Sequence, residues 1–142
     1  MPVKVNNDLV PWVTYTEPEL AQTGLTEAQA RARKLKIHIL RWPYYDNDRA
    51  QAERETHDHI KVITTRKGKI LGATIVGAQA GELIAMWTLA IAQGLNIRKL
   101  TGIVLPYPTL SEIGKRAAID YFTPNLTSPR VRRIIAWLRI FG

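Results

Sequence analysis

Between His59 and Val76 the sequence spells a β-hairpin, and the segment after it dictates how that hairpin has to be covered. His59 to Thr65 and Ile70 to Val76 are rich in β-branched residues, and Arg66-Lys67-Gly68-Lys69 between them has turn chemistry. Past Gly77 the pattern changes to a helix over 79–93, ended by Gly94 at a position suited to a left-handed stop. Leu83, Ile84, Met86, Trp87, Leu89, Ala90 and Ile91 wrap nearly its whole circumference. A helix apolar all round needs burial on more than one side. The sheet supplies one cover, and a second subunit is the expected other.

Shorter signals flank this centre. Val10 to Tyr15 is β-prone and entered through Pro11, which suits an edge strand. Pro18 is placed to open a single helical turn, Glu19-Leu20-Ala21-Gln22, stopping before Gly24. Thr26 and Gln29 make a capping box for a helix through about Lys34. Ile37, Ile39 and Trp42 read as a strand broken at Pro43, and 46–51 reads as a turn with a brief helix. Asn96 to Leu100 is a short element, and Gly102 to Pro108 runs extended into a proline-rich bend. Thr109 is expected to begin a helix to Tyr121 with Glu112 as its N3 residue. After a loop, Ser128 and Pro129 open a last helix whose Val131, Ile134, Ile135 and Leu138 share one face. This order predicts an α+β domain with a mostly antiparallel sheet flanked by helices. The expected division is a polar linker or boundary at 1–9, a domain over 10–123, and a loop with a basic amphipathic helix over 124–142.

Composition narrows the chemistry. Zero cysteines exclude disulfides, thiolate zinc and iron–sulfur sites, and any thiol reaction performed by this chain itself. No apolar run reaches the roughly 18 residues of a membrane span, and the first residues lack a signal-peptide build, so a cytoplasmic location is expected. The Gly-x-Gly-x-x-Gly fingerprint, the Walker loop and Gly-x-Ser-x-Gly are all missing, and Ser stands only at 111 and 128. His57 and His59 share a strand face but have no evident third ligand, so no metal site is expected. Asn125-Leu126-Thr127 has the glycosylation pattern without an export signal. The net charge of +8 favours anionic neighbours. It supports one alternative function, a basic module for nucleic acid or an anionic membrane surface. Arg130, Arg132, Arg133 and Arg139 would carry the peripheral membrane contact, and Trp42-Pro43-Tyr44-Tyr45 would be a stacking platform. No recognised nucleic-acid motif accompanies them, so nucleic acid is the less expected partner.

A set of motifs, taken jointly, points elsewhere. Val10-Pro11-Trp12-Val13-Thr14-Tyr15-Thr16-Glu17-Pro18-Glu19-Leu20-Ala21 is followed by Gly24-Leu25-Thr26-Glu27 and Asn47-Asp48-Arg49-Ala50. Then come Ile70-Leu71-Gly72-Ala73, Gly81-Glu82-Leu83-Ile84 and Tyr107-Pro108-Thr109-Leu110-Ser111-Glu112. In this order, over roughly 10–121, they resemble the C-terminal dimerisation domain of the flavin-dependent pyridine nucleotide–disulfide oxidoreductases, such as dihydrolipoamide dehydrogenase and mercuric reductase. The resemblance implies a homodimer and a domain, 10–123, that joins subunits. It also implies upstream FAD and NAD(P) domains bearing the redox cysteines. This fragment would then bind no cofactor and be inactive alone, while the full-length enzyme would use FAD and NAD(P)H.

The family motif is His-Pro-Thr-x-x-Glu, in which the His is the acid–base catalyst at the partner's disulfide and the Glu orients it. Tyr107 stands at the His position here, so the resemblance implies catalytic roles for Tyr107 and Glu112. It also implies that Pro106 and Tyr107 lie near the partner subunit's flavin. A free tyrosine ionises near pH ~10 against ~6.5 for histidine, which makes Tyr107 a poor base near neutrality. It could instead donate a hydrogen bond or a proton, or contact a metal ion. The structural alternatives are a rigid interface aromatic for Tyr107 and a Thr109–Glu112 capping box. Pro106 and Pro108 restrict the backbone on either side, and the hydroxyl is expected at the surface rather than in the core.

Overall fold

The hairpin forms the centre of the sheet, with a strand added on each flank and a further strand at one edge. A computed structural model describes residues 9–123. The helix expected after Pro129, the Asn125 sequon and residues 1–8 of the leading segment lie outside the described residues. The strands are β1 (Trp12–Thr14), β2 (Leu20–Gly24), β3 (Ile37–Pro43), β4 (His59–Thr65) and β5 (Ile70–Val76). They make one sheet in the order β1-β2-β5-β4-β3, every neighbouring pair antiparallel. The helices are α1 (Glu27–Ala32), α2 (Asp48–Glu53), α3 (Ala80–Ala92), α4 (Arg98–Thr101) and α5 (Glu112–Asp120). The expected α+β architecture is therefore the one observed.

Local chemistry explains most of these elements. The hairpin turn closes through Thr65 N–H to Lys69 O and Gly68 N–H to Thr65 O, both 2.9 Å. The capping box of α1 forms in both directions, Gln29 N–H to Thr26 Oγ1 at 3.2 Å and Thr26 N–H to Gln29 Oε1 at 2.9 Å. Gly94, at φ +61°, ends α3 in the left-handed conformation that glycine adopts without steric cost.

One element differs in kind from its expectation. Residues 19–22 do not form a helical turn, because Leu20–Gly24 is β2, sandwiched between β1 and β5. A helical turn this short gains little from its own hydrogen bonds against the cost of nucleation, so tertiary partners decide whether it forms. The open edge of β5 instead offers five register partners, from Leu20↔Val76 to Gly24↔Gly72, and Ala21 and Thr23 become fully buried.

The main core lies on the face covered by α3 and α5. Ala80, Ile84, Trp87 and Ala90 of α3 are buried there, with α3 lying on β2 and β5 and α5 on β3 and β4. Trp87 is the largest fully buried side chain, 1% exposed. A smaller cluster of Leu25, Ala30 and Ile63 packs with α1. The far side of α3 stays uncovered within the described residues, and Leu89 there is 61% exposed.

Candidate functional site

The bend that carries Tyr107 is held by a neighbour 59 residues away in sequence. Asn47 precedes α2, and its Oδ1 caps that helix by accepting from Ala50 N–H at 2.9 Å. The same side chain, 4% exposed, turns its Nδ2 to donate to Thr109 O at 3.1 Å. One residue on, Asp48 Oδ2 accepts the Tyr107 hydroxyl at 2.7 Å. Two hydrogen bonds thus fasten the start of α2 to the bend before α5.

The capping box expected from Thr109 and Glu112 is absent. Helix α5 starts at Glu112 after Ser111, which makes no side-chain cap. Thr109 Oγ1 instead donates to Pro106 O at 2.8 Å, while Glu112 N–H reaches only Thr109 O at 3.4 Å. Proline at 108 fixes its own φ and restricts the residue before it, which folds the bend back so that the threonine hydroxyl meets a local carbonyl.

Pro106 accepts from Thr109 within the bend, and the Glu112 carboxylate lies close enough to Tyr107 for its charge to act on the phenol. Tyr107 is 69% exposed, so its hydroxyl lies at the surface and not in the core. Its phenol is held above the ordinary tyrosine value, first by the hydrogen bond to Asp48, then by the charge of Asp48, by partial burial and by the charge of Glu112. Each cause favours the protonated phenol, so this tyrosine is a weaker acid than a free one and is not a base near neutrality. Beside it, Asp46, Asn47, Asp48, Glu112 and Arg116 line a cavity of about 60 Å³. The Asn47-Asp48-Arg49-Ala50 motif was visible in the sequence, but the capping role of Asn47 came only with the structure. Which distant groups Asn47 and Asp48 would reach had no local signal.

The remaining candidates separate. His57 and His59 are exposed, and among the described residues no group of three or more His, Asp or Glu is gathered as a metal set. Burial, and then Arg41 and Lys61, hold the His59 imidazole below its usual range. The aromatic platform at 42–45 does not exist. Tyr44 is fully buried and its hydroxyl donates to Ala78 O at 3.0 Å, Trp42 packs partly against the core, and only Tyr45 is exposed. Gly77, at φ +140°, lets the Tyr44 ring lie against the backbone, where a Cβ would come within 2.6 Å of its Cζ. Among the described residues no helix is long and apolar enough to cross a membrane.

A second surface runs between β1 and α3. It is an apolar groove of about 680 Å³ whose lining includes Pro11, Trp12, Tyr15, Ile84 and Leu89. Trp12 is 49% and Tyr15 81% exposed. Although the chain carries twenty Lys and Arg, none falls in β1, β2, β5 or α3.

The family described as pyridine nucleotide-disulphide oxidoreductase, dimerisation domain, matches residues 10–118. The dihydrolipoyl dehydrogenase of Bacillus subtilis is similar, 37% identical over 118 residues, which is 82% of this chain and 25% of that protein. Among solved structures, LpdA from Mycobacterium tuberculosis shares the fold, with a TM-score of 0.78 and 24% identity over 83% of this chain and 26% of that one. A Cu(II) complex of the HOCl-induced flavoprotein disulfide reductase RclA from Escherichia coli is similar, with a TM-score of 0.73 and 25% identity. That match covers 86% of this chain and 26% of RclA. The chain spans about a quarter of the length of the relatives it matches.

Proposed function

Since the chain belongs to the dimerisation-domain family of the pyridine nucleotide-disulphide oxidoreductases, we propose that it joins two subunits of a flavin-dependent oxidoreductase and brings Tyr107 to the partner's redox centre. The dinucleotides belong, in this reading, to domains upstream. The residues described here do not fit one: the start of α3, the best-placed anion site, has its Gly81 N–H already donating to Glu19 Oε2 at 2.9 Å. Gly77 is committed to the Tyr44 ring. No step is therefore assigned to flavin or nicotinamide within this chain.

The observation that carries the proposal is the groove between β1 and α3. Two copies of a chain with net charge +8 repel one another, and least so across a face without Lys or Arg. That face is also the apolar one, with Trp12 and Leu89 exposed on it, and apolar patches of this kind mark interfaces. Pairing it with itself gives a closed twofold dimer, the commonest oligomer symmetry. Tyr107, exposed and fastened to Asp48, can then serve a site on the other subunit as a hydrogen-bonding group. Disulfides and Cu(II) are the acceptors to assay first, from the names of the similar proteins.

Leu89→Arg tests the reading. Light scattering should show the parent chain as a dimer at micromolar concentration and the variant as a monomer with unchanged far-UV circular dichroism. A parent chain that stays monomeric both alone and joined to its upstream domains would overturn the proposal.

A further inference from the structure

We propose that Asp48 is the positioning residue for Tyr107, drawing the single phenolic proton inward so that the phenol oxygen faces outward as a hydrogen-bond acceptor. A tyrosine hydroxyl has one proton and two lone pairs, so a proton given to one partner cannot be given to another. The Tyr107 O–H to Asp48 Oδ2 distance of 2.7 Å is that of a charge-assisted bond. Both ends of it are held. Asn47 caps α2 and clamps Thr109, so the carboxylate and the bend cannot drift apart independently. On the other side, Thr109 Oγ1 ties the bend to Pro106 O at 2.8 Å.

The neighbouring carboxylates act in the same direction. Asp48 from α2 and Glu112 from α5 both raise the phenol's ionisation point, and Asp46, Glu112 and the Arg116 guanidinium line the adjoining cavity. Arg49, the nearest cation in sequence, pairs with Glu53 along α2 instead. The surroundings therefore hold Tyr107 as a neutral phenol with its proton committed.

This rests on the reading in which Tyr107 faces the partner's redox centre, and it specifies what Tyr107 offers there. A neutral phenol oxygen accepts a hydrogen bond from a thiol S–H, an N–H or a water. It can donate outward only after leaving Asp48. Glu112, which holds the family's orienting position, makes no hydrogen bond to Tyr107 in the present geometry, and Asp48 does.

The Tyr107 phenol is titrated by tyrosinate absorbance in the 142-residue chain, with Tyr107→Phe subtracted to remove the other four tyrosines. Asp48→Asn keeps the shape and removes the charge, and its amide can donate to the phenol oxygen, reversing the bond. It should bring the Tyr107 titration down towards that of an ordinary tyrosine, and Asp48→Glu should restore the upward displacement. In the full-length enzyme, Asp48→Asn should lower turnover by up to about 10²-fold, the cost of misplacing a reacting group by about 1 Å. An unmoved titration in a folded Asp48→Asn protein would overturn the proposal. If Asp48→Asn does not fold, Asp48→Glu decides, since a phenol titrating as an ordinary tyrosine there overturns it equally. If the titration moves but Tyr107→Phe keeps full turnover with every acceptor, Asp48 still positions Tyr107, and it is the partner-site reading that fails.

Discussion

Replacing Gly114 should destabilise the domain even though alanine is the better helix former, and the reason is one indole ring. Gly114 lies near the start of α5 and is buried, and a Cβ there would stand 3.2 Å from Trp87 Cζ2 and 3.2 Å from Met86 Cε. The methionine methyl is the end of a flexible chain and can move. Trp87, 1% exposed and enclosed by the core, cannot. Glycine to alanine inside a helix gains roughly 0.5–1 kcal/mol, whereas overpacking a tight core costs about 1–3 kcal/mol. The net expectation for Gly114→Ala is a loss of about 1 kcal/mol, or about 4 °C in Tm for a domain of this size. Trp87→Phe is destabilising by itself, but it removes the atoms that crowd the new methyl. In that background Gly114→Ala should stabilise by roughly 0.5–1 kcal/mol. The two substitutions therefore couple by about 2 kcal/mol, within the range measured for residues in contact. Urea unfolding of the four proteins, followed by far-UV circular dichroism, measures it. A stabilising Gly114→Ala in the parent chain, or coupling below about 0.3 kcal/mol, would refute the packing argument.

Two further outcomes follow from the site and the sheet. Asn47→Ala removes both the α2 cap and the clamp on Thr109, so it should cost at least the ~1 kcal/mol of a lost cap and loosen the Tyr107 bend, read as faster amide exchange at 107–112 by NMR. Glu27 is held below the usual carboxylate range chiefly by its hydrogen bond to Arg31, with Lys61 and Arg41 adding their charges. Its folded ionisation point is the depressed one, so its contribution is fully present above about pH 4.5 and is lost as the pH falls through the folded value. Glu27→Gln should flatten stability against pH in that acidic window, and an unchanged acid limb in urea titrations would refute the assignment.

The sequence by itself determined those elements whose energetics are local. The 59–76 hairpin, the Thr26–Gln29 capping box and the Gly94 stop of α3 each depend on residues a few positions apart, and each is present. The apolar excess of α3 was legible too, and so was the surface position of Tyr107 between its prolines. Only the tertiary structure decided the rest. Leu20–Gly24 became a strand because β5 offered an edge about fifty residues away. Tyr44 went inside because Gly77 left room for its ring, which removed the aromatic platform. Thr109 met the Pro106 carbonyl instead of capping α5, and Tyr107 donated its hydrogen bond to Asp48, which no motif linked to it. Caps and turns are selected by short-range backbone hydrogen bonds. Strand pairing, ring burial and the direction of a side-chain proton depend on which distant groups the folded chain brings within about 3 Å, and spacing along the sequence does not encode that distance.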